Sequence, residues 1–128
     1  MVADTEAKRL LLVDDEVGYL EVLSKRLTYR GFNVTTASSG EEAIRALRNW
    51  DFDLAVVDLK MEDMDGIEVL KVLKRMDPAL HVIILTGHGS ERAARDGLAH
   101  GAFDYLIKPI GLDPLIERIR AALGPETA

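Results

Sequence analysis

Short apolar runs alternate along this chain with segments whose apolar residues recur every three or four positions. Residues 10–13, Leu-Leu-Leu-Val, form a continuous run that suits a strand buried on both faces. Val17, Leu20, Leu23 and Leu27 follow at helical spacing, and Gly31 fits a helix stop. Residues 33–37 are rich in Val and Thr and read as a second strand. Ser39 and Glu42 frame an S-x-x-E capping box, which opens a helix with Ala43, Ile44 and Leu47 inward. A turn at 51–53 leads into Leu-Ala-Val-Val at 54–57, the third strand. Gly66 precedes a helix carrying Ile67, Leu70 and Leu73, and Pro78 marks its end. Residues 82–85 read as the fourth strand, and Ser90 caps a helix reaching His100, with Gly101 past its end. Residues 105–107 form the fifth strand. Leu112, Leu115, Ile116, Ile119 and Leu123 are the stripe of a last helix, broken at Gly124 and Pro125. The fourth helix is the least marked, with a thin stripe over 92–97 and an internal Gly97.

Five alternations of strand and helix predict an α/β fold, a parallel sheet with helices on both faces. Right-handed crossovers leave few topologies for it. No repeat, low-complexity tract or linker interrupts the pattern, and 128 residues suit one domain. Residues 1–8 read as a loose polar arm, 9–123 as the domain, and 124–128 as a tail or the start of a linker. Net charge is −6 with no basic run, which argues against direct nucleic-acid binding by this domain. The absence of cysteine excludes disulfides and thiolate metal sites. The apolar runs fall far short of the ~20 residues that span a bilayer, so no membrane association is expected. No targeting signal is visible, which leaves the cytoplasm as the simplest expected location.

Parallel strands put their ends side by side, and these strands end in reactive groups. Asp14 and Asp15 follow the first, Asp58 the third, Thr86 closes the fourth, and Lys108-Pro109 follows the fifth. Ligands of open α/β sheets bind at that edge. Asp14, Asp15 and Glu16 alone are explained by a helix start, where acids complement the macrodipole. Asp58 has no helix directly after it. Three clustered acids repel unless a cation joins them, and an all-oxygen donor set suits Mg²⁺ or Mn²⁺. A carboxylate is also a nucleophile towards phosphorus, in a reaction governed by positioning and charge. Lys108 supplies a mobile positive charge and Thr86 a hydroxyl donor, although a surface lysine and a strand-favouring threonine are common on their own.

These residues resemble a known family. Val13-Asp14-Asp15-Glu16, Asp58-Leu59-Lys60-Met61 with Met64-Asp65-Gly66, Leu85-Thr86-Gly87-His88-Gly89 and Tyr105-Leu106-Ile107-Lys108-Pro109 resemble, in order and separation, the CheY-like receiver domains of two-component response regulators. The resemblance covers residues 9–123. It implies a flavodoxin-like, doubly wound five-stranded sheet in the order 2-1-3-4-5. It further implies that Asp58 accepts a phosphoryl group from a sensor histidine kinase or phosphotransfer protein. Asp15, Asp58 and the Lys60 carbonyl would hold Mg²⁺, with Asp14 acting through a metal-bound water. Thr86 and Lys108 would hold phosphoryl oxygens, and the Lys108-Pro109 bond would be cis. Thr86 and Tyr105 would form a switch that alters the surface of the fourth helix, fifth strand and fifth helix. Such a domain is a signalling switch that catalyses only its own phosphorylation and dephosphorylation. It acts on an output domain or target, in some cases as a phosphorylation-dependent homodimer.

Some positions depart from the family's pattern. Glu62 stands where the family often has Pro, so the loop 61–65 is expected to be looser and more acidic, with Asp63 and Asp65 as turn residues. Lys60 and His88 could overhang the site, Lys60 pairing with either the acyl phosphate or Glu62. Trp50 and Met64 read as loop-packing residues, and Tyr105 alone could simply pack at a strand edge with a wet hydroxyl. Val17, Leu20 and Glu21, with the loop after Pro109, form the expected kinase-docking face, and Arg92, Tyr105 and the last helix the output face. A dehalogenase-like phosphatase would need an Asp-x-Asp pair after one strand, whereas these acids are adjacent and the acceptor lies on another. A pseudo-receiver is disfavoured by the full set Asp15, Asp58, Thr86 and Lys108, and a flavin module by the acidic loop after the first strand.

Overall fold

The computed structural model describes residues 7–87 and 90–124. Most of the expected arm, His88, Gly89 and the tail from residue 125 lie outside the described residues. The elements are β1 (Arg9–Val13), α1 (Val17–Tyr29), β2 (Asn33–Ala37), α2 (Gly40–Asn49), β3 (Leu54–Val57), α3 (Gly66–Met76), β4 (His81–Thr86), α4 (Glu91–Ala99), β5 (Asp104–Ile107) and α5 (Leu112–Leu123). The strands form one sheet in the order β2-β1-β3-β4-β5, and every pairing is parallel. The fold is the parallel α/β arrangement expected from the alternation, in the flavodoxin-like, doubly wound strand order that the family resemblance implies.

Strand side chains alternate between faces, so the continuous apolar runs feed two cores. Leu11, Val13, Ala55, Val57, Val82 and Ile84 pack with α2 and α3 on one face. Leu10, Leu12, Leu54, Val56, Ile83 and Leu85 pack with α1 and α5 on the other. In α1 the stripe narrows to Leu20, Leu23 and Leu27, because Val17 is 56% exposed at the helix start, before the helix turns onto the sheet. Helix α4 is the least anchored: Gly97 is its one buried residue, and a Cβ there would press on Ile84 Cδ1.

Caps set where the helices begin. Ser39 Oγ accepts from the Glu42 N–H at 3.0 Å, but Glu42 Oε1 returns to the Ser38 N–H at 2.8 Å, one residue before the position a reciprocal capping box would use. Ser90 caps α4 by accepting from Ala93 N–H at 3.0 Å. Asp65 caps α3 by accepting from Ile67 N–H at 2.9 Å. Asp63, expected to serve only its own turn, reaches across the fold. Its two carboxylate oxygens accept from the Gly40 and Glu41 N–H groups, both at 3.0 Å, and so close the start of α2.

The loop that follows β3 is tied to α3 by a backbone approach that only glycine permits. Gly66 N–H donates to Leu59 O at 2.8 Å, and a Cβ at Gly66 would overlap the Asp58 carbonyl oxygen and Leu59 Cα. Gly18, inside α1, has nothing within 4 Å of its Cβ position. Gly66→Ala should therefore lower unfolding free energy by roughly 1–3 kcal/mol, the usual cost of overpacking. Gly18→Ala should raise it by up to about 1 kcal/mol through helix propensity. Urea denaturation of the two variants measures both, and a neutral Gly66→Ala would contradict the close approach.

Asp63 adds a pH dependence. The Gly40 and Glu41 N–H bonds hold its carboxyl below the ordinary value of 3.8. A depressed folded pKa contributes stability that is complete above the unfolded value and is lost as pH falls through the folded one. The stability gap between the wild type and Asp63→Ala should thus be constant above about pH 5 and shrink on acidification below the unfolded pKa. Denaturant titrations at several pH values read this directly, and a gap that grew on acidification would contradict it.

Candidate functional site

Strand order reverses between β1 and β3, and the site lies where their ends meet. Val13 is in register with Val57, so Asp14 and Asp58 leave the sheet side by side. Asp14 N–H donates to Ala37 O at 3.1 Å and Asp58 N–H to Val13 O at 2.9 Å, extending the ladder past the last strand residues. Thr86 ends β4 opposite Ile107, and Lys108 N–H donates to Thr86 O at 2.9 Å. The Lys108–Pro109 peptide bond is cis.

Among the described residues, the buried polar or charged ones are Asp14, Asp58 and Thr86, at 4%, 5% and 0% exposure. All three lie at this one edge, where burying polar groups is costly and therefore marks the chemistry of the molecule. Lys108 Nζ is the cation among them. It lies 2.6 Å from Asp14 Oδ2, 3.1 Å from Glu16 Oε1 and 3.8 Å from Asp58 Oδ2. The face of the Tyr19 ring covers the ammonium, with Nζ 4.4 Å from the ring centroid.

Charge here is unbalanced. One oxygen each from Asp14, Asp15 and Asp58 lie within 4.8 Å of one another. With Glu16 they set four acids against Lys108. Burial raises the Asp14 carboxyl above its ordinary value, outweighing the hydrogen bonds from Lys108 and the Glu16 N–H. Burial alone would lower Lys108, but its bonds to Asp14 and Glu16 and the charges of Asp14 and Asp58 lift it to about 12. Burial likewise raises the Tyr19 hydroxyl. An all-carboxylate cluster with surplus negative charge fits a hard divalent cation.

The fold brings together Asp14, Asp15, Asp58, Thr86 and Lys108. Lys60 stands next to them: its N–H lies 3.5 Å from Asp58 Oδ1, and its side chain is exposed. Tyr105 is half-buried, packs against the α2–α3 core and accepts the Ser90 N–H at 3.3 Å, so its hydroxyl is engaged with the start of α4. Two partners were not anticipated. Glu16 is more than a helix-start acid, because it holds Lys108. Tyr19 falls outside the apolar stripe of α1, and no local signal in the sequence marks it, since its partner Lys108 lies beyond the fifth strand.

The family profile described as response regulator receiver domain matches residues 10–120, and the chain belongs to that family. It is a receiver domain of the two-component response regulator class. Its curated relatives include the transcriptional regulatory protein GlrR of Escherichia coli, 43% identical over 114 residues that cover 89% of this chain and 26% of the relative. The probable transcriptional regulatory protein TcrX of Mycobacterium tuberculosis is 38% identical over 121 residues, 94% of this chain and 52% of the relative. The chain thus spans about a quarter to a half of the length of these relatives. Among solved structures, a CheY-like receiver domain protein from Methanospirillum hungatei superposes with a TM-score of 0.90 at 31% identity, covering 94% of this chain and 97% of that one. The CheX–CheY–BeF3–Mg2+ complex from Borrelia burgdorferi gives 0.89 at 30% identity, covering 98% and 96%.

Trp50 lies away from the acids. It follows α2 and is 59% exposed, with the Arg9 guanidinium 5.8 Å from its ring, where β1 begins rather than where it ends. Titration with Mg²⁺ should therefore leave Trp50 emission nearly unchanged. Strong quenching would contradict this separation.

Proposed function

We propose that the domain is switched by phosphoryl transfer to Asp58. The observation that carries this reading is a buried Asp58 carboxylate 3.8 Å from Lys108 Nζ, with Asp14 and Asp15 in the same cluster. Asp58 would attack the phosphorus of a phosphohistidine on a sensor histidine kinase or phosphotransfer protein. The P–N bond breaks as the P–O bond forms, and the imidazole leaves with the bonding pair and takes a proton. Asp14, Asp15, Asp58 and the Lys60 backbone carbonyl would hold Mg²⁺ or Mn²⁺, which supplies charge neutralisation at the phosphoryl oxygens. Lys108 can turn from Asp14 towards a new phosphoryl oxygen, and Thr86 can donate its hydroxyl to another. The domain would catalyse this change on itself, and later its reversal by water, without turning over an external substrate.

The switch would pass through Thr86 and Tyr105. Movement of Thr86 towards the phosphoryl group lets Tyr105 turn inward and give up the Ser90 N–H. The surface formed by Arg92 on α4, by β5 and by α5 would change for an output domain, a target protein or a second copy of the domain. Val17 and Glu21, with the loop after Pro109, offer the kinase an exposed docking face, whereas Leu20, also expected there, is 4% exposed and belongs to the core. The relatives are named as transcriptional regulators, and a comparable output is proposed for the protein that carries this domain. No helix of the described residues is long and apolar enough to cross a membrane, and the proposed site of action is the cytoplasm. Residues 9–123 would form the receiver unit.

Asp58→Asn should lose hydroxylamine-labile label from a small phosphodonor, and chelation of divalent metal should abolish labelling of the wild type. Undiminished labelling of Asp58→Asn would overturn the assignment.

A further inference from the structure

We propose that the cleft between the β3–α3 loop and helix α4 is a docking groove for an acidic, amphipathic segment of a partner protein. The cleft encloses about 930 Å³. Leu59, Met61, Ile67 and Ala93 give it an apolar lining. Lys60 stands on one wall, and Arg92 and Arg95 on the other. All three cations are exposed, and none forms an ion pair with a carboxylate among the described residues. The two acids of the lining are already committed. Asp65 Oδ1 accepts the Ile67 N–H at 2.9 Å, and Asp96 Oδ1 lies 3.1 Å from His100 Nδ1.

Helix α4 gains nothing from these arginines by itself. Arg92 occupies its first turn, where positive charge opposes the macrodipole, and its last turn carries no basic residue. Arg95 does not close on Glu91, four residues before it, so the pairing that would favour the isolated helix is unused. On a chain of net charge −6, Lys60, Arg92 and Arg95 outnumber the two lining carboxylates, Asp65 and Asp96, and give the cleft a small positive excess. Such an excess selects an acidic partner, and the apolar lining selects one with apolar side chains on the opposite face, as in helix-in-groove recognition. Nucleic acid fits less well, because among the described residues no aromatic ring lines the cleft for base stacking and the molecule as a whole repels a polyanion.

The test uses the unphosphorylated chain and a labelled synthetic helix-forming peptide with glutamates on one face and leucines on the other. Anisotropy should show saturable binding, and amide signals of Lys60, Arg92, Ala93 and Arg95 should shift. The double variant Arg92→Glu, Arg95→Glu should bind about tenfold more weakly or worse, with its thermal unfolding midpoint not lowered. Ala93→Asp, which keeps both arginines but charges the lining, should also weaken binding, and a scrambled peptide of the same composition should bind less well. Equal binding by the double variant, or by the scrambled peptide, would overturn the proposal. Equal competition by an oligonucleotide of matched charge would assign the cleft to nucleic acid, and self-association abolished by Arg92→Glu would assign it to a second copy. Either result also overturns it. Phosphorylation plays no part in the measurement, so the docking groove and the phosphoacceptor reading stand or fall separately.

Discussion

Among the described residues, the ammonium of Lys108 is the one cation set against the carboxylates of Asp14, Asp15, Glu16 and Asp58. Two of those carboxylates are almost removed from solvent, where charge is costly to hold and mutual repulsion is weakly screened. The architecture serves this arrangement. Parallel strands deliver the acids from β1 and β3 and the lysine from beyond β5, so no short local motif could assemble the group. The Tyr19 ring restricts where the ammonium can go. Asp14 takes the shortest contact with it, which leaves Asp58 the less satisfied of the two buried acids and the one with more to gain from a new positive neighbour.

Much of this could be read in the chain because the signals were regular. Continuous apolar runs of four residues, each ending in a polar group, identify buried parallel strands and name the residues at their ends together. That made Asp14, Asp15, Asp58, Thr86 and Lys108 legible as a set. The missed features depend on contacts between distant segments. Asp63 reads as a turn residue because its role at the start of α2 lies more than twenty positions away. Glu16 and Tyr19 are ordinary helix-start residues until the fifth strand brings Lys108 over them. Val17 and Leu20 share a helical spacing, yet only Leu20 faces the sheet, since periodicity gives the direction of a stripe and not where the helix meets its neighbour.

The two faces of the sheet are built differently. Helix α3 buries Ile67, Val69, Leu70 and Leu73, and α5 buries Leu115, Ile116, Ile119 and Ala122. Helix α4 buries Gly97 and otherwise meets its surroundings through half-exposed alanines and the Tyr105 hydroxyl. Elements held by few apolar contacts are the ones that open and shift most readily. The most weakly attached helix is therefore the one that follows β4, the strand ending in Thr86, in the chain.

The bare contact between Gly97 and Ile84 gives α4 an unusual kind of position. A large side chain would lock the helix into a socket of fixed shape, whereas a surface without a Cβ offers a smooth bearing. No side chain at Gly97 keys the helix into a hole beside Ile84. The groups that hold it are then those at its start, the Ser90 cap and the Tyr105 hydroxyl, rather than its middle.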